Sequence, residues 1–216
     1  PGFDYDMWLG PAPWAPYCEA RCHWNFRWHS DYAGGQLTDW AGHHIDIANW
    51  GMDTEMSAPV EIEGRGQWPV ARDGLFDTPE SYTFTCKYRE GFTMMVSALL
   101  PGGTRFEGEN GKWIYVNRGF IDANPKSLLA EQIGPDEIHL IKSDNHHANF
   151  LDCVRTRAKT ITPAEAAHHS VMVAHLGMAA MKTERKLKFD PETERFVDDD
   201  DANRMLGRAM RSPWHL

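Results

Sequence analysis

The feature that most constrains the fold is a period-two pattern in the middle of the chain. Residues 82–88 alternate Tyr, Phe and Cys with Thr and Lys, and a second strand-like run, residues 92–98, follows the turn Arg89-Glu90-Gly91. A period of two places alternate side chains on opposite faces of a strand. Gly91 supplies the positive φ that a tight hairpin turn needs. The pattern therefore predicts an antiparallel hairpin.

Three further runs extend this prediction to a sheet. Residues 60–64 alternate apolar and acidic side chains, and residues 104–108 and 112–118 form a second candidate hairpin across Glu109-Asn110-Gly111. Alternation with one polar face is typical of an antiparallel sheet that is covered on one side only. We expect the uncovered face to be available for oligomer contacts.

The last third of the chain has helical periodicity. Helices are predicted over residues 144–157, from the Thr162-Pro163 start to about Lys182, and over residues 198–206. The second of these should bury Val171, Ala174, Met178 and Met181. Helices on one face of a mostly antiparallel, open-faced sheet define an α+β fold, and the length of 216 residues favours a single domain.

Proline and tryptophan dominate the start of the chain. Residues 1–17 contain prolines at 11, 13 and 16, which predicts an extended arm without a helix. The C-terminal residues 208–216 should pack back on the body through Trp214. The chain begins at Pro1 without Met, so we expect a fragment or a processed product. Its residues do not distinguish a cytoplasmic from an exported protein.

Charge and motif content exclude several function classes. The chain carries 31 acidic and 22 basic residues, a formal charge of −9, which disfavours nucleic acid or an anionic membrane as the main partner. No apolar run reaches membrane-spanning length. No Gly-x-Gly-x-x-Gly turn follows a strand, so no dinucleotide-binding fold is visible.

One helix carries the clearest candidate chemistry. Residues 38–50 are predicted as a helix with Thr38 as N-cap and Gly51 as its stop. Leu37, Ala41, Ile45 and Ala48 should face the core, while Asp39, His43, Asp46 and Trp50 share another stripe. A carboxylate one turn before a histidine orients the imidazole as a general acid or base. A merely solvated polar face is the alternative.

Other kinds of site are indicated less clearly by the histidines, the cysteines and the tryptophans. Six of the 11 histidines form adjacent pairs, whose side chains point about 100° apart on a helix and cannot bind one metal together, so no metal site is predicted. The four cysteines are too scattered for a disulfide scaffold. Trp24, Trp28, Trp40 and Trp50 lie in or near the Asp39–His43 helix, where they either pack in the core or stack on a sugar ring.

These residues resemble a known family. The pattern Gly-Gly-x-Leu-x-Asp-x-x-x-His-x-x-Asp, together with residues 6–13, 22–28, 143–153 and 211–214, is similar to the C-terminal domain of the Gfo/Idh/MocA superfamily, the glucose–fructose oxidoreductases and inositol dehydrogenases. The likeness extends over nearly the whole chain and points to a planctomycete-type branch. Ala41-Gly42 departs from the more usual order, in which Gly lies two residues after the Asp.

The resemblance implies a two-domain oxidoreductase of which residues 1–216 are the substrate-binding and oligomerisation domain. NAD or NADP would be bound mainly by an N-terminal Rossmann domain that this chain lacks, together with a catalytic lysine, so the chain alone should be inactive. Asp39 and His43 match the catalytic pair, with His43 taking the proton from a hydroxyl of a sugar, polyol or related carbohydrate. The residues implied in substrate binding are Trp24, Arg27, Trp28, His44, Asp46 and His146. The implied assembly is a homo-oligomer formed through the open sheet.

Three other functions remain open at the level of sequence. A non-catalytic carbohydrate-binding or assembly module would use the sheet and the aromatic residues without turnover. An NAD-dependent glycosidase of the same superfamily would cleave a glycoside without net accumulation of NADH. A metal hydrolase would lose activity to a chelator.

Overall fold

The computed structural model describes residues 2–70 and 74–215. Pro1 and Leu216, the outer ends of the predicted arm and tail, lie outside the described residues. In chain order the helices are α1 (Tyr5–Leu9), α2 (Gly35–Trp40), α3 (Asp46–Gly51), α4 (His146–Thr156), α5 (Ala164–Thr183) and α6 (Asp200–Arg204). The strands are β1 (Glu61–Gln67), β2 (Ser81–Lys87), β3 (Thr93–Ser97), β4 (Thr104–Glu107), β5 (Trp113–Asn117), β6 (Phe120–Asn124), β7 (Leu187–Asp190) and β8 (Arg195–Phe196).

The larger sheet confirms the α+β prediction. Its five strands lie in the order β3-β2-β1-β7-β8, and every pair is antiparallel. The predicted hairpin is present, with Gly91 at φ 91° in the turn between β2 and β3. Strands β7 and β8 were not predicted, because four and two residues are too short to display a period of two.

Helix α5 covers one face of this sheet. Phe84 on β2 is 1% exposed and fills the space between α5 and β1. A Cβ on Gly177 of α5 would lie 2.5 Å from the Phe84 ring, and one on Gly64 of β1 would lie 2.3 Å from the Phe84 Cβ. A side chain at position 177 would therefore displace the Phe84 ring, and one at position 64 would displace the Phe84 Cβ and the backbone of β2. Met181 is buried as predicted, whereas Val171 and Met178 are only half-buried.

Within the described residues, the opposite face of the sheet is uncovered and largely polar. Ile62 and Phe84 point to the helices, while Glu63, Thr85 and Met95 form a row across β1, β2 and β3 on the other face. This arrangement confirms the predicted one-sided cover.

A second sheet of three strands, β4-β5-β6, is also antiparallel and contains the second predicted hairpin. Asn110 and Gly111 in its turn have φ values of 57° and 71°. The sheet contacts α3 through Phe106, and a Cβ on Gly51 would lie 2.4 Å from that ring. Gly51 is thus the last residue of α3 and a packing position, and the helix is capped by Met52 rather than stopped at Gly51.

The N-terminal arm differs from its prediction. Residues 5–9 form the short helix α1, because Asp4 caps it by accepting a hydrogen bond from the Met7 N–H at 3.0 Å and the first proline comes only at position 11. The tail is fastened to this arm mainly by Arg211, whose guanidinium donates to the Asp6 carboxylate at 2.8 Å and to the Gly10 carbonyl at 3.0 Å. Trp214 is half-buried, as expected for a tail that packs back.

Two of the predicted helix starts are wrong in detail. Thr38 is not an N-cap: α2 begins at Gly35, and Thr38 Oγ1 lies inside the helix, where it accepts from the Gly34 N–H at 3.1 Å. Thr162 does not cap α5, since Pro163 occupies the N-cap position and no side chain caps the helix. No helix among the described residues is long and apolar enough to cross a membrane.

Candidate active site

The candidate site lies on an interrupted helix. Residues 35–51 comprise α2, a π-helical turn over Ala41–Ile45, and α3. The π turn is marked by the hydrogen bond from the Asp46 N–H to the Ala41 carbonyl, five residues back. π turns inside helices occur frequently at functional sites. The sequence predicted a continuous α-helix here, which is wrong.

The π turn changes which side chains share a face. One extra residue in a turn rotates everything after it by about 100° relative to a continuous α-helix. Asp46 is therefore directed toward α5, where its carboxylate accepts a 2.7 Å hydrogen bond from Ser170 Oγ. The prediction that Asp46 lies on the stripe of Asp39 and His43 is wrong for this reason. Leu37, Ala41, Ile45 and Ala48 are buried as predicted, and Asn49 is buried more completely than Ala48.

Asp39 and His43 are both exposed. Within the part of the chain that the structure describes, neither side chain forms a hydrogen bond or an ion pair with another residue. An exposed imidazole with free ring nitrogens can accept a proton from a bound hydroxyl group. The pair is therefore accessible to a substrate from the solvent side.

Trp40 is the centre of the group around His43. Its ring centroid lies 5.7 Å from that of His43 and 4.9 Å from that of His44, and the guanidinium carbon of Arg118 lies 5.1 Å from it. The indole is 37% exposed, so part of it remains available to a ligand. Arg118 comes from the turn between β5 and β6.

His44 connects the helix to the small sheet. Its Nδ1 accepts from the Gly103 N–H at 3.2 Å, and its carbonyl accepts from Thr104 Oγ1 at 2.7 Å. Burial lowers the pKa of His44 below its usual value, with smaller contributions from His43 and Arg118. A neutral ring whose Nδ1 accepts carries its proton on Nε2.

Four other predicted site residues come from elements other than the helix that bears Asp39 and His43. Trp24, Arg27 and Trp28 belong to a 3-10 helix over His23–Trp28, in which Arg27 lies 3.9 Å over the Trp24 ring. His146 starts α4, with its ring 4.2 Å from that of His147. No hydrogen bond, ion pair or ring contact between described residues joins these four to Asp39 or His43. Trp24, at 70% exposed, is free to contact a ligand from its own position.

Sequence reasoning missed Arg118. It stands in the turn Asn117-Arg118-Gly119, with Gly119 at φ 65°, where an arginine has no distinguishing pattern. The only local signal was the sequence Asn-x-Gly at the end of the strand predicted over residues 112–118. The contact with Trp40 depends on how the small sheet packs against the helix.

No metal centre is formed by the residues in 2–70 and 74–215: no three of their His, Cys, Asp or Glu side chains are grouped to bind an ion. All four cysteines are free thiols. The strand pairs of the described residues are all antiparallel, so this part of the chain contains no β–α–β crossover to hold a dinucleotide.

Comparison with known proteins identified one matching family model and several solved structures of similar fold. Residues 1–216 match the family model GFO_IDH_MocA_C2, an oxidoreductase family C-terminal alpha/beta domain. A search of curated proteins found no match.

Solved structures resemble the chain at low identity. An NAD-binding protein from Listeria innocua superposes with a TM-score of 0.50 at 14% identity, covering 83% of this chain and 52% of its own. The protein yvaA from Bacillus subtilis, described as an oxidoreductase, gives a TM-score of 0.49 at 15% identity, with 82% and 55% covered. GenD2 from gentamicin A biosynthesis, in complex with NAD, gives 0.43 at 15% identity, with 74% and 49% covered. The chain thus spans about half the length of these structures.

Proposed function

This chain belongs to the Gfo/Idh/MocA oxidoreductase family as its C-terminal alpha/beta domain, and from that premise we propose that it is the substrate-binding and catalytic half of an NAD- or NADP-dependent oxidoreductase. The substrate is a sugar, a polyol or a related carbohydrate, oxidised at a hydroxyl group. The observation that carries the proposal is the exposed pair Asp39 and His43 beside an accessible indole, Trp40, on a π-interrupted helix.

The chemistry divides between two parts of the protein. The nicotinamide ring, when bound, supplies the acceptor for the hydride that leaves the carbinol carbon. This chain has no dinucleotide crossover within its described residues, so we assign the cofactor to a dinucleotide-binding half outside it. His43 accepts the proton of the same hydroxyl on an unprotonated ring nitrogen, which leaves a carbonyl product and a protonated imidazole. Asp39 stabilises that imidazolium or orients the reacting hydroxyl.

The test uses the full-length protein, expressed with the coding sequence upstream of Pro1. Turnover is measured as NADH or NADPH formation with myo-inositol, D-glucose and D-glucuronate. We expect His43→Ala and Asp39→Asn to lower kcat by roughly two orders of magnitude or more. His168→Ala is the control, because that exposed histidine on α5 pairs with Glu194 at 3.0 Å, away from the Trp40 group. Near-wild-type turnover in both site variants would refute the catalytic assignment.

The upstream sequence provides an independent check. A strand, a Gly-x-Gly-x-x-Gly turn and a helix within about one domain's length before Pro1 would support the division of labour. A start codon directly before Pro1 would instead favour a stand-alone binding module.

The open sheet face is the proposed assembly surface. It is polar but includes Met95, which is 55% exposed in the row with Glu63 and Thr85. We propose that a second copy of the chain packs there. Met95→Lys should shift the full-length protein toward monomer in light scattering, whereas Lys112→Ala, in the β4–β5 turn, should not. An unchanged molar mass for Met95→Lys contradicts this surface.

A further inference from the structure

Two arginines on the small sheet stack on tryptophans in nearly the same way. Arg105 lies 4.8 Å from the Trp113 centroid and Arg118 lies 5.1 Å from the Trp40 centroid. The two arginines differ in their ion pairs. Arg105 is neutralised by Glu107 at 3.1 Å, whereas no carboxylate of the described residues forms an ion pair with Arg118. Arg118 is exposed, so its charge is available to an anionic ligand.

Arg118 is also adjacent to the proposed general base. Its guanidinium and the His43 ring lie 5.1 Å and 5.7 Å from the same indole, Trp40. The distance between the Arg118 guanidinium and the His43 ring is therefore at most the sum of these two distances. That sum is about the length of one monosaccharide with its substituents. A monosaccharide whose hydroxyl contacts His43 is therefore long enough for a charged substituent to reach Arg118.

The turn that carries Arg118 is held in place by side-chain hydrogen bonds. Asn117 Oδ1 accepts from the Arg118 N–H at 2.7 Å, and Asn117 Nδ2 donates to the Gly102 carbonyl at 2.8 Å. The next residue, Gly103, donates to His44 at 3.2 Å. This chain of contacts fixes the turn relative to the helix that bears His43, so Arg118 is presented from a defined position.

We propose that Arg118 binds the anionic group of the substrate, and that the substrates are therefore sugars bearing a carboxylate or a phosphate. This inference rests on the proposed function, because it places the anion within one sugar length of His43. A guanidinium binds either anion through two parallel hydrogen bonds. Stacking on Trp40 restricts the guanidinium, which reduces the entropy lost on binding.

The experiment measures binding as well as turnover. The full-length protein, saturated with NAD, is titrated calorimetrically with D-glucuronate, D-glucose 6-phosphate and D-glucose, and kcat/KM is measured for each. We expect one of the anionic sugars to bind more tightly than D-glucose. Arg118→Gln should lower the affinity for that anionic sugar by about 10- to 100-fold and the affinity for D-glucose by less than about twofold. Arg118→Lys should recover part of the loss.

Arg105→Gln is the matched control, since it removes a tryptophan-stacked arginine from the same sheet that already has a carboxylate partner. It should leave all three affinities unchanged. The two anionic sugars separate a carboxylate site from a phosphate site, and either preference supports the proposal. Tighter binding of D-glucose than of both anions, absence of binding by both anions, or an equal loss for charged and neutral sugars in Arg118→Gln would overturn it.

The outcomes separate this proposal from the one on which it rests. If His43→Ala abolishes turnover but Arg118→Gln weakens the binding of anionic and neutral sugars equally, the catalytic assignment stands and the anion site fails. If Arg118→Gln removes binding of anionic sugars while His43→Ala retains turnover, the anion site stands and the general-base assignment fails.

Discussion

The hydroxyl of Ser170 on α5 donates a 2.7 Å hydrogen bond to the carboxylate of Asp46, a contact between residues 124 positions apart. The Asp46 side chain is thereby occupied by the protein itself. Asp39 and His43, by contrast, have no side-chain hydrogen bond within the described residues. Three residues that look equivalent in the sequence therefore divide into an exposed pair and a residue that joins two helices.

This division predicts different effects of mutation. Asp46→Ala and Ser170→Ala should each lower the free energy of unfolding by about 1–2 kcal/mol, because a hydrogen bond to a charged group is lost. The double variant should lose little more unfolding free energy than either single variant. A double-mutant cycle in urea measures this difference. Fully additive losses would show that the bond contributes no coupling energy. At 25 °C, where the folded protein predominates, Asp46→Asn should have most of the wild-type turnover. His43→Ala should lose that turnover.

The close approach of Gly177 to Phe84 predicts a second effect. Gly177→Ala should destabilise the protein by about 1–3 kcal/mol, since its Cβ would lie 2.5 Å from the buried ring. Chemical denaturation measures the loss. Gly207→Ala is the control, because nothing lies within 4 Å of a Cβ at that position. Adding Phe84→Leu to Gly177→Ala should recover part of the lost stability if steric overlap is the cause. No recovery would indicate that the helix backbone at position 177, rather than the ring, is sensitive to substitution.

The lowered pKa of His44 predicts a pH dependence. Its pKa in the folded state lies below the unfolded value of about 6.5, so the unfolded state binds the proton more readily. The neutral ring thus contributes stability that is complete above about pH 6.5 and is lost as the pH falls below that value. Protonation would also place an N–H at Nδ1 against the Gly103 N–H, which now donates to it at 3.2 Å.

His44→Asn isolates this contribution from those of other buried histidines. The asparagine retains an oxygen acceptor for Gly103 but does not titrate. The free energy of unfolding of the wild type minus that of His44→Asn should decrease from about pH 7.5 to about pH 5. A pH-independent difference would contradict the assignment of a neutral His44. Nitrogen NMR of the ring should show the proton on Nε2 at neutral pH.

Local patterns determined much of this fold. The hairpin turns at Gly91 and Gly111, the core stripe from Leu37 to Ala48 and the main body of α5 follow from side-chain periodicity and from glycine's access to positive φ, which act over a few residues. Asp39 and His43 were identifiable because four residues span one helical turn and because the surrounding motifs resemble a known family. These features need no knowledge of distant parts of the chain.

Tertiary structure decided what surrounds that pair. The π turn, which separates Asp46 from His43, lies where the segment packs against α5, and no residue pattern within it distinguishes a π turn from an α-helical one. The contact of Arg118 with Trp40 and the bond of Asp46 to Ser170 join residues far apart in sequence. Such contacts depend on how sheets and helices pack in three dimensions, because their partners share no local periodicity. The sequence thus identified the pair that we propose as catalytic, and only the packing decided the neighbours of that pair.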